Sequence, residues 1–119
     1  MGADFPVRIY HRAQCSTSRQ VVARVLAAGH RPEIVDYVSK GWDLAQLKAL
    51  ASSLQVRARD MLRVKGTQAE ELRLTDEGLE DDVLFQAMIK DPILVERPIV
   101  VTPRGVRICR PVTVVDEIL

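Results

Sequence analysis

Residues 7–38 decide the fold, and they read VRIYHRAQCSTSRQVVARVLAAGHRPEIVDYV. β-Branched and aromatic side chains dominate residues 7–10, which predicts a short strand. The hydroxyls of residues 16–18 are typical of a helix N-cap. One face of the helix that follows carries Val21, Val22, Val25 and Leu26. Gly29 is a natural C-terminal stop, and residues 34–38 predict a second strand, so the segment is predicted to be a βαβ unit.

Helical patterns follow this unit. Asp43 is expected to cap a helix because a regularly spaced apolar stripe begins directly after it. That stripe consists of Leu44, Leu47, Leu50 and Leu54. Residues 57–63 and 68–72 predict two shorter helical pieces. The acidic run 80–82 favours the start of another helix, since negative charge stabilises a helix N-terminus, and Asp91 before Pro92 ends that helix.

The C-terminal part returns to strand patterns. Residues 99–101 predict a strand, 103–105 a hairpin turn and 106–109 the return strand. A last helix is expected from the apolar stripe Val115, Ile118 and Leu119. The order is therefore β-α-β, a helical insert, then β-β-α. This order predicts an α/β fold of thioredoxin-like layout with a mixed four-stranded sheet, and a generic α/β sandwich is the alternative.

Composition bounds the class of protein. The chain has 119 residues, 47% of them hydrophobic and 28% charged, which predicts a single globular domain over residues 1–119. A net charge of +1 argues against nucleic acid as a partner. No apolar run reaches the roughly 20 residues of a membrane helix, so we expect a cytoplasmic protein without a membrane partner. Neither CxxC nor HxxxH occurs, which argues against a metal site.

Cys15 is the candidate nucleophile. It lies between the first predicted strand and the first predicted helix, where unpaired backbone N–H groups and the helix dipole favour a thiolate. An inert cysteine buried under the helix is the alternative. Ser18 occupies the position of a second cysteine in a CxxC dithiol, and Val21 occupies the position of the arginine in a C-x5-R phosphatase loop. Both of those arrangements are therefore excluded, and Cys15 is a monothiol.

Four segments in chain order resemble one known family. They are YHRAQCSTSR at 10–19, RARDMLRVKG at 57–66, DPILVERPIVVTPRG at 91–105 and ICRP at 108–111. The first is similar to the active-site pattern Tyr-His-Asn-Pro-x-Cys-x-x-Ser-Arg of the glutathione- and glutaredoxin-dependent arsenate reductases of thioredoxin-like fold, the ArsC family. The resemblance implies reduction of arsenate to arsenite. It implies glutathione as co-substrate, glutaredoxin as partner and no bound cofactor.

The resemblance also implies site residues. The catalytic cysteine of the family falls on Cys15, and Pro98 matches the proline that this fold usually holds in the cis form beside it. The three arginines that bind the oxyanion fall on Arg63, Arg97 and Arg110. Guanidinium groups suit this task because each can bind two oxygens of a tetrahedral anion and offset the repulsion between that anion and a thiolate.

Supporting residues are implied around the cysteine. His11 matches the family histidine and is expected to orient or polarise the loop, with a purely structural histidine as the alternative. Ser18 and Arg19 match the Ser-Arg that ends the pattern, and Arg19 is one helical turn beyond Cys15. Cys109 falls within a predicted strand, where a buried small hydrophobe is the commoner state than a resolving thiol.

One departure from the pattern keeps other functions open. Arg12-Ala13 stands where the family has Asn-Pro, which removes an amide and adds a cation directly before the cysteine loop. A thiol oxidoreductase acting on another substrate is therefore an alternative. A redox-responsive transcription regulator of the same fold is a second one. Such regulators typically carry CxxC, and Ser18 takes the place of that second cysteine here.

Overall fold

The structure, a computed structural model of the chain, describes residues 5–119. These residues form two units: residues 5–40 together with Arg97–Leu119, and Gly41–Glu96. The first unit contains every named strand, and the second contains the helical segment that lies between the two sheet-forming parts of the sequence.

A four-stranded mixed sheet organises the first unit. Its strands are β1 (Arg8–His11), β2 (Glu33–Asp36), β3 (Ile99–Thr102) and β4 (Gly105–Ile108). Their order across the sheet is β2-β1-β3-β4. β1 pairs with β2 in parallel, whereas the β1–β3 and β3–β4 pairs are antiparallel. The predicted thioredoxin-like α/β layout is therefore confirmed.

One face of the sheet is covered by helix α1 (Ser16–Ala27) and by a C-terminal 3₁₀ helix (Val112–Ile118). The buried side chains between them are Val7, Ile9, Val21, Val25, Val100, Cys109, Val115 and Ile118. Arg24 of α1 donates both Nε and Nη2 to the carboxylate of Asp116, at 2.8 and 2.7 Å. Because both side chains are about half exposed to solvent, this ion pair contributes little, and the apolar contacts stabilise the layer.

The second unit consists of short helices, α3 (Leu44–Leu54), α4 (Ala58–Met61), α5 (Asp81–Lys90) and a 3₁₀ turn (Pro92–Leu94). α3 begins as predicted, because the Asp43 carboxylate accepts the Gln46 N–H at 2.7 Å in a capping box. After α4 the chain runs antiparallel to the residues that follow the 3₁₀ turn. Leu62 pairs with Val95, and the Arg63 N–H donates to the Leu94 carbonyl at 2.7 Å.

Two sequence predictions in the first unit are wrong in detail. The second strand ends at Asp36 instead of residue 38, and helix α2 (Tyr37–Lys40) begins at once. The Asp36 carboxylate accepts hydrogen bonds from the Ser39 N–H and hydroxyl at 3.3 and 3.0 Å, which turns the backbone out of the strand. The hydroxyls of residues 16–18 do not cap α1, because Cys15 itself is the N-cap.

The helix predicted at residues 68–72 is also wrong, because these residues form consecutive turns. The Thr67 hydroxyl accepts the Ala69 N–H at 3.2 Å, and a local side-chain bond of this kind competes with helical hydrogen bonding. Arg73 then has a φ of 59°, which a right-handed helix cannot contain. The piece predicted at 57–63 shortens to α4, and the last helix is of the 3₁₀ type.

Candidate active site

Cys15 stands at the junction that the sequence predicts, between a strand and a helix. β1 ends at His11, and a tight turn follows in which the Cys15 N–H donates to the Arg12 carbonyl at 3.0 Å. The Cys15 carbonyl then accepts the Arg19 N–H at 3.0 Å, as the first bond of α1. The side chain is partly exposed and the thiol is free. A thiol at a helix N-cap faces backbone N–H groups that have no partner within the helix.

Arg110 reaches this thiol from the end of β4. Its Nη1 lies 3.7 Å from the Cys15 Sγ and donates to the Arg97 carbonyl at 3.0 Å. The Cys109 N–H donates to the Pro98 carbonyl at 2.9 Å, which ties the same two stretches of chain together. The Arg97–Pro98 peptide bond is cis, as the resemblance implies, and the Arg110–Pro111 bond is cis as well.

Arg97 is the second cation of this cluster. Its residue is only 7% exposed, and its Nε and Nη1 are buried without a hydrogen-bond partner among residues 5–119. A buried guanidinium with unused donors is costly unless an anion satisfies it. Arg97 therefore has the donors that a tetrahedral oxyanion next to Cys15 would use.

These groups act on the acidity of the thiol. Burial raises the pKa of Cys15, but a hydrogen bond from the Ser18 backbone N–H and the side chains of Arg97 and Arg110 outweigh it and lower the pKa to about 7. Because the thiolate is the nucleophilic form, Cys15 is poised to react at neutral pH.

The Ser18 side chain binds the loop that precedes Cys15. Ser18 is fully buried, and its hydroxyl oxygen accepts the Arg12 N–H at 3.2 Å. The His11 Nδ1 lies 2.9 Å from the same oxygen, so we assign the Ser18 hydroxyl hydrogen to Nδ1. Burial lowers the pKa of His11, Arg19 lowers it further, and Asp36 opposes both. His11 is thus held as a neutral imidazole near pH 7.

Arg19 contacts the loop from its exposed side. Its Nη1 donates to the Ala13 carbonyl at 2.7 Å. The sequence places Arg19 one turn beyond Cys15, and the structure gives it a bond that closes the turn before the cysteine.

Arg63 belongs to the second unit. It is buried, its Nη1 lies 2.9 Å from the Glu96 Oε1, and its Nε donates to the Lys65 carbonyl at 3.1 Å. Glu96 is therefore the ionic partner of this arginine.

Cys109 has the environment of a structural thiol. It is fully buried in the core of the first unit, and burial raises its pKa to about 12. Its Sγ lies 3.7 Å from the Arg107 carbonyl. A thiol of this pKa is neutral at physiological pH and is a poor nucleophile.

Tyr37 is a residue that the sequence interpretation did not single out. It is 1% exposed, and its phenol interacts with the Arg97 side chain. Burial raises the pKa of Tyr37, whereas the charges of Arg97 and Arg12 lower it. The signal was its place directly after β2, since β1 and β2 run in parallel and end at the same edge of the sheet.

The described part of the chain contains neither a metal-binding cluster nor a membrane-spanning helix. No group of three or more His, Cys, Asp or Glu residues is arranged to hold a metal ion. No helix within residues 5–119 is long and apolar enough to cross a membrane.

Comparisons with known proteins point to one family. The profile of the ArsC family matches residues 10–118. The chain is 44% identical over 111 residues to the arsenate reductase ArsI2 of Synechocystis sp., a match that covers 93% of this chain and 79% of that protein. It is 42% identical over 113 residues to the arsenate reductase of Rhizobium meliloti, which covers 95% and 81% of the two chains.

A solved structure agrees. The structure of an arsenate reductase from Vibrio cholerae superposes with a TM-score of 0.91 at 40% identity. The match covers 97% of this chain and 98% of the other.

Proposed function

The chain belongs to the ArsC family, and from this premise we propose that it reduces arsenate to arsenite with Cys15 as nucleophile and with glutathione and glutaredoxin as reductants. The observation that carries the proposal is the pairing of a thiol of pKa about 7 with Arg110 at 3.7 Å and with the buried Arg97. This combination suits a thiolate that must attack an anion, because the cations offset the repulsion between the two.

The proposed chemistry balances with two external thiols. The Cys15 thiolate forms a bond to arsenic, and one arsenate oxygen leaves as water after protonation. Glutathione then attacks the Cys15 sulfur of the adduct; the sulfur–arsenic bond breaks, its electron pair stays on arsenic, and a Cys15–glutathione disulfide forms. Glutaredoxin attacks this mixed disulfide at the glutathione sulfur and releases the Cys15 thiolate. The two thiols supply two electrons and end as one disulfide, while arsenic falls from the +5 to the +3 state and leaves as arsenite. We propose no resident cofactor, because thiols carry the electrons.

The other predicted residues take supporting roles in this proposal. Arg97 and Arg110 bind the oxyanion, the family resemblance assigns the same role to Arg63, and Pro98 follows Arg97 through a cis peptide bond. The loop before Cys15 is positioned by His11, Ser18 and Arg19, which is supported by their bonds within that loop. We place the protein in the cytoplasm, where glutathione and glutaredoxin are kept reduced.

A coupled assay tests the proposal. Arsenate is added to the protein with glutathione, glutaredoxin, glutathione reductase and NADPH, and the oxidation of NADPH is followed. We expect arsenate-dependent oxidation that needs glutathione and glutaredoxin together. Equal activity with thioredoxin in their place would contradict the assignment of glutathione and glutaredoxin as reductants. The absence of activity with any thiol system would contradict the proposed reduction of arsenate. Cys15→Ser is the inactive control.

A thiol oxidoreductase with another substrate is the second candidate function, because Arg12-Ala13 replaces Asn-Pro directly before the nucleophile. Reduction of glutathione mixed disulfides without arsenate, measured with the same coupling enzymes, distinguishes it. Turnover on such disulfides that exceeds turnover on arsenate would favour this candidate.

A further inference from the structure

Arg12 is the residue at which this chain departs from the family pattern, and its backbone is fixed against the nucleophile. Its carbonyl accepts the Cys15 N–H at 3.0 Å, and its N–H donates to the Ser18 hydroxyl at 3.2 Å. Both bonds lie within the turn that presents Cys15. The start of the Arg12 side chain is therefore placed by the same loop that places the thiol.

Arg12 and Tyr37 follow neighbouring strands at the same edge of the sheet. His11 pairs with Asp36 at the end of the parallel strands β1 and β2, and Arg12 and Tyr37 are the next residues of the two chains. Parallel strands that are paired in register end at the same edge of the sheet. Arg12 therefore follows β1 at the edge where Tyr37, whose buried phenol also interacts with Arg97, follows β2.

The electrostatics of Tyr37 agree with this placement. Burial raises the pKa of its phenol, the charges of Arg97 and Arg12 lower it, and the Cys15 thiolate raises it. One hydroxyl thus lies within electrostatic range of both guanidinium groups and of the nucleophile. Tyr37 is thus a common neighbour of Arg12 and of Arg97, and Arg97 is one of the cations that act on Cys15.

Arg12 also has donors to spare. Its Nε is buried without a hydrogen-bond partner, and the guanidinium forms no ion pair with any carboxylate, in the part of the chain that the structure describes. Arg97 nearby is more than nine-tenths buried and has two unused nitrogens. Two arginines with unused donors beside a thiolate form a site for an anion with several oxygens.

Building on the proposed function, we propose that Arg12 is a specificity-determining residue whose guanidinium adds a further cation to the oxyanion site. With an uncharged side chain at this position, only the other arginines would offset the negative charge of the oxyanion. Because Arg12 faces the anion before and during attack, its charge stabilises bound substrate and transition state alike. Its loss therefore acts on KM more than on kcat.

The test measures oxyanion binding without turnover. Sulfate in the site shields Cys15 from iodoacetamide, and the concentration that halves the alkylation rate gives an apparent Kd. Arg12→Gln removes the charge, Arg12→Asn installs the residue of the family pattern, and Arg31→Gln is the matched control at an exposed arginine of the same unit. We expect the apparent Kd to rise about tenfold in both Arg12 variants and to stay unchanged in the control.

Arg12→Lys should lie between wild type and Arg12→Gln, since it keeps the charge but loses the planar fork. In the coupled assay the KM for arsenate should rise in parallel while kcat falls less. Thermal unfolding of both neutral variants checks that the fold is intact.

Three outcomes overturn the inference: unchanged shielding in both neutral variants, the same loss in Arg31→Gln, or a rise in KM for glutathione alone. The last outcome would mean that Arg12 binds glutathione and not the oxyanion. If wild type fails to reduce arsenate but its shielding by sulfate still depends on Arg12, the proposed function fails and this inference stands.

Discussion

The Nη1 of Arg110 lies 3.7 Å from the Sγ of Cys15, although 95 positions separate the two residues in the chain. The same nitrogen donates to the Arg97 carbonyl at 3.0 Å, so the guanidinium is held in place while it faces the sulfur. A charge fixed in this way stabilises the thiolate without having to reorganise when the reaction begins.

The first prediction concerns the acidity of Cys15. With a pKa of about 7, half of the thiol is ionised at pH 7. A free cysteine with a pKa of about 8.5 would be about 3% thiolate at that pH. The rate of alkylation by iodoacetamide should therefore rise through a midpoint near pH 7. A midpoint at or above the free-thiol value would contradict the assigned role of the arginines.

Arg110→Gln should move this midpoint upward. Removal of the cation withdraws stabilisation from the thiolate but not from the neutral thiol, so the pKa rises. Arg31→Gln, at an exposed position, should leave the midpoint where it is. Only one thiol should react in the native protein, because Cys109 is fully buried and its pKa is raised to about 12. Mass spectrometry of the alkylated chain checks that count.

Local patterns were enough to predict the sheet and the first helix of this fold. The strands and α1 carry β-branched runs and a helical apolar face that their tertiary contacts do not override. The prediction failed where short-range polar bonds decide the backbone, at Asp36 with Ser39 and at Thr67 with Ala69.

The candidate site was likewise predictable from the sequence only in part. The position of Cys15 at a helix start follows from the sequence around it. No local pattern places Arg97 or Arg110 beside that thiol, and the resemblance to a family was needed to nominate them. The electrostatic relation of Tyr37 to Arg97 and Arg12 depends on how β1 and β2 pair, which the sequence leaves open because two short strands can pair in more than one register.

The second prediction separates the two cysteines. Cys15→Ser should abolish arsenate turnover with little change in thermal stability, because the side chain is partly exposed and its loss removes only the nucleophile. Cys109→Ser should keep most of the activity but lose about 1–3 kcal/mol of stability, since it places a hydroxyl in an apolar core. Cys109→Ala is the matched control. If Cys109→Ala loses activity as completely as Cys15→Ser does, the reaction uses an internal disulfide between the two cysteines and not a single thiol.

The third prediction concerns the loop. Ser18→Ala leaves the Arg12 N–H and the His11 Nδ1 without their shared oxygen, and should cost about 1–3 kcal/mol of unfolding free energy. Ser16→Ala is the matched control, because Ser16 is exposed in the same turn of α1. Chemical denaturation compares the two variants. A loss of the same size in both would mean that the Ser18 hydroxyl does not hold the loop.

The last prediction concerns the arginines as oxygen ligands. Arg97→Lys and Arg110→Lys keep a positive charge but lose the planar fork that binds two oxygens at once. Each should lower kcat/KM by a factor that corresponds to about 2.7–4 kcal/mol, the typical cost of one lost oxyanion contact. Arg63→Lys should fall in the same range if Arg63 binds the oxyanion as proposed.

Arg73→Lys is the surface control for this series, because Arg73 is exposed in the second unit. The pKa of Cys15 must be measured in each variant together with its kinetics. A lysine variant that keeps the wild-type pKa of Cys15 but not the wild-type rate isolates the role of the arginine in oxygen binding. Small losses of equal size at all four positions would mean that the fork geometry contributes nothing. The cluster would then act on the thiol through charge alone, and the oxyanion site would have to be sought elsewhere.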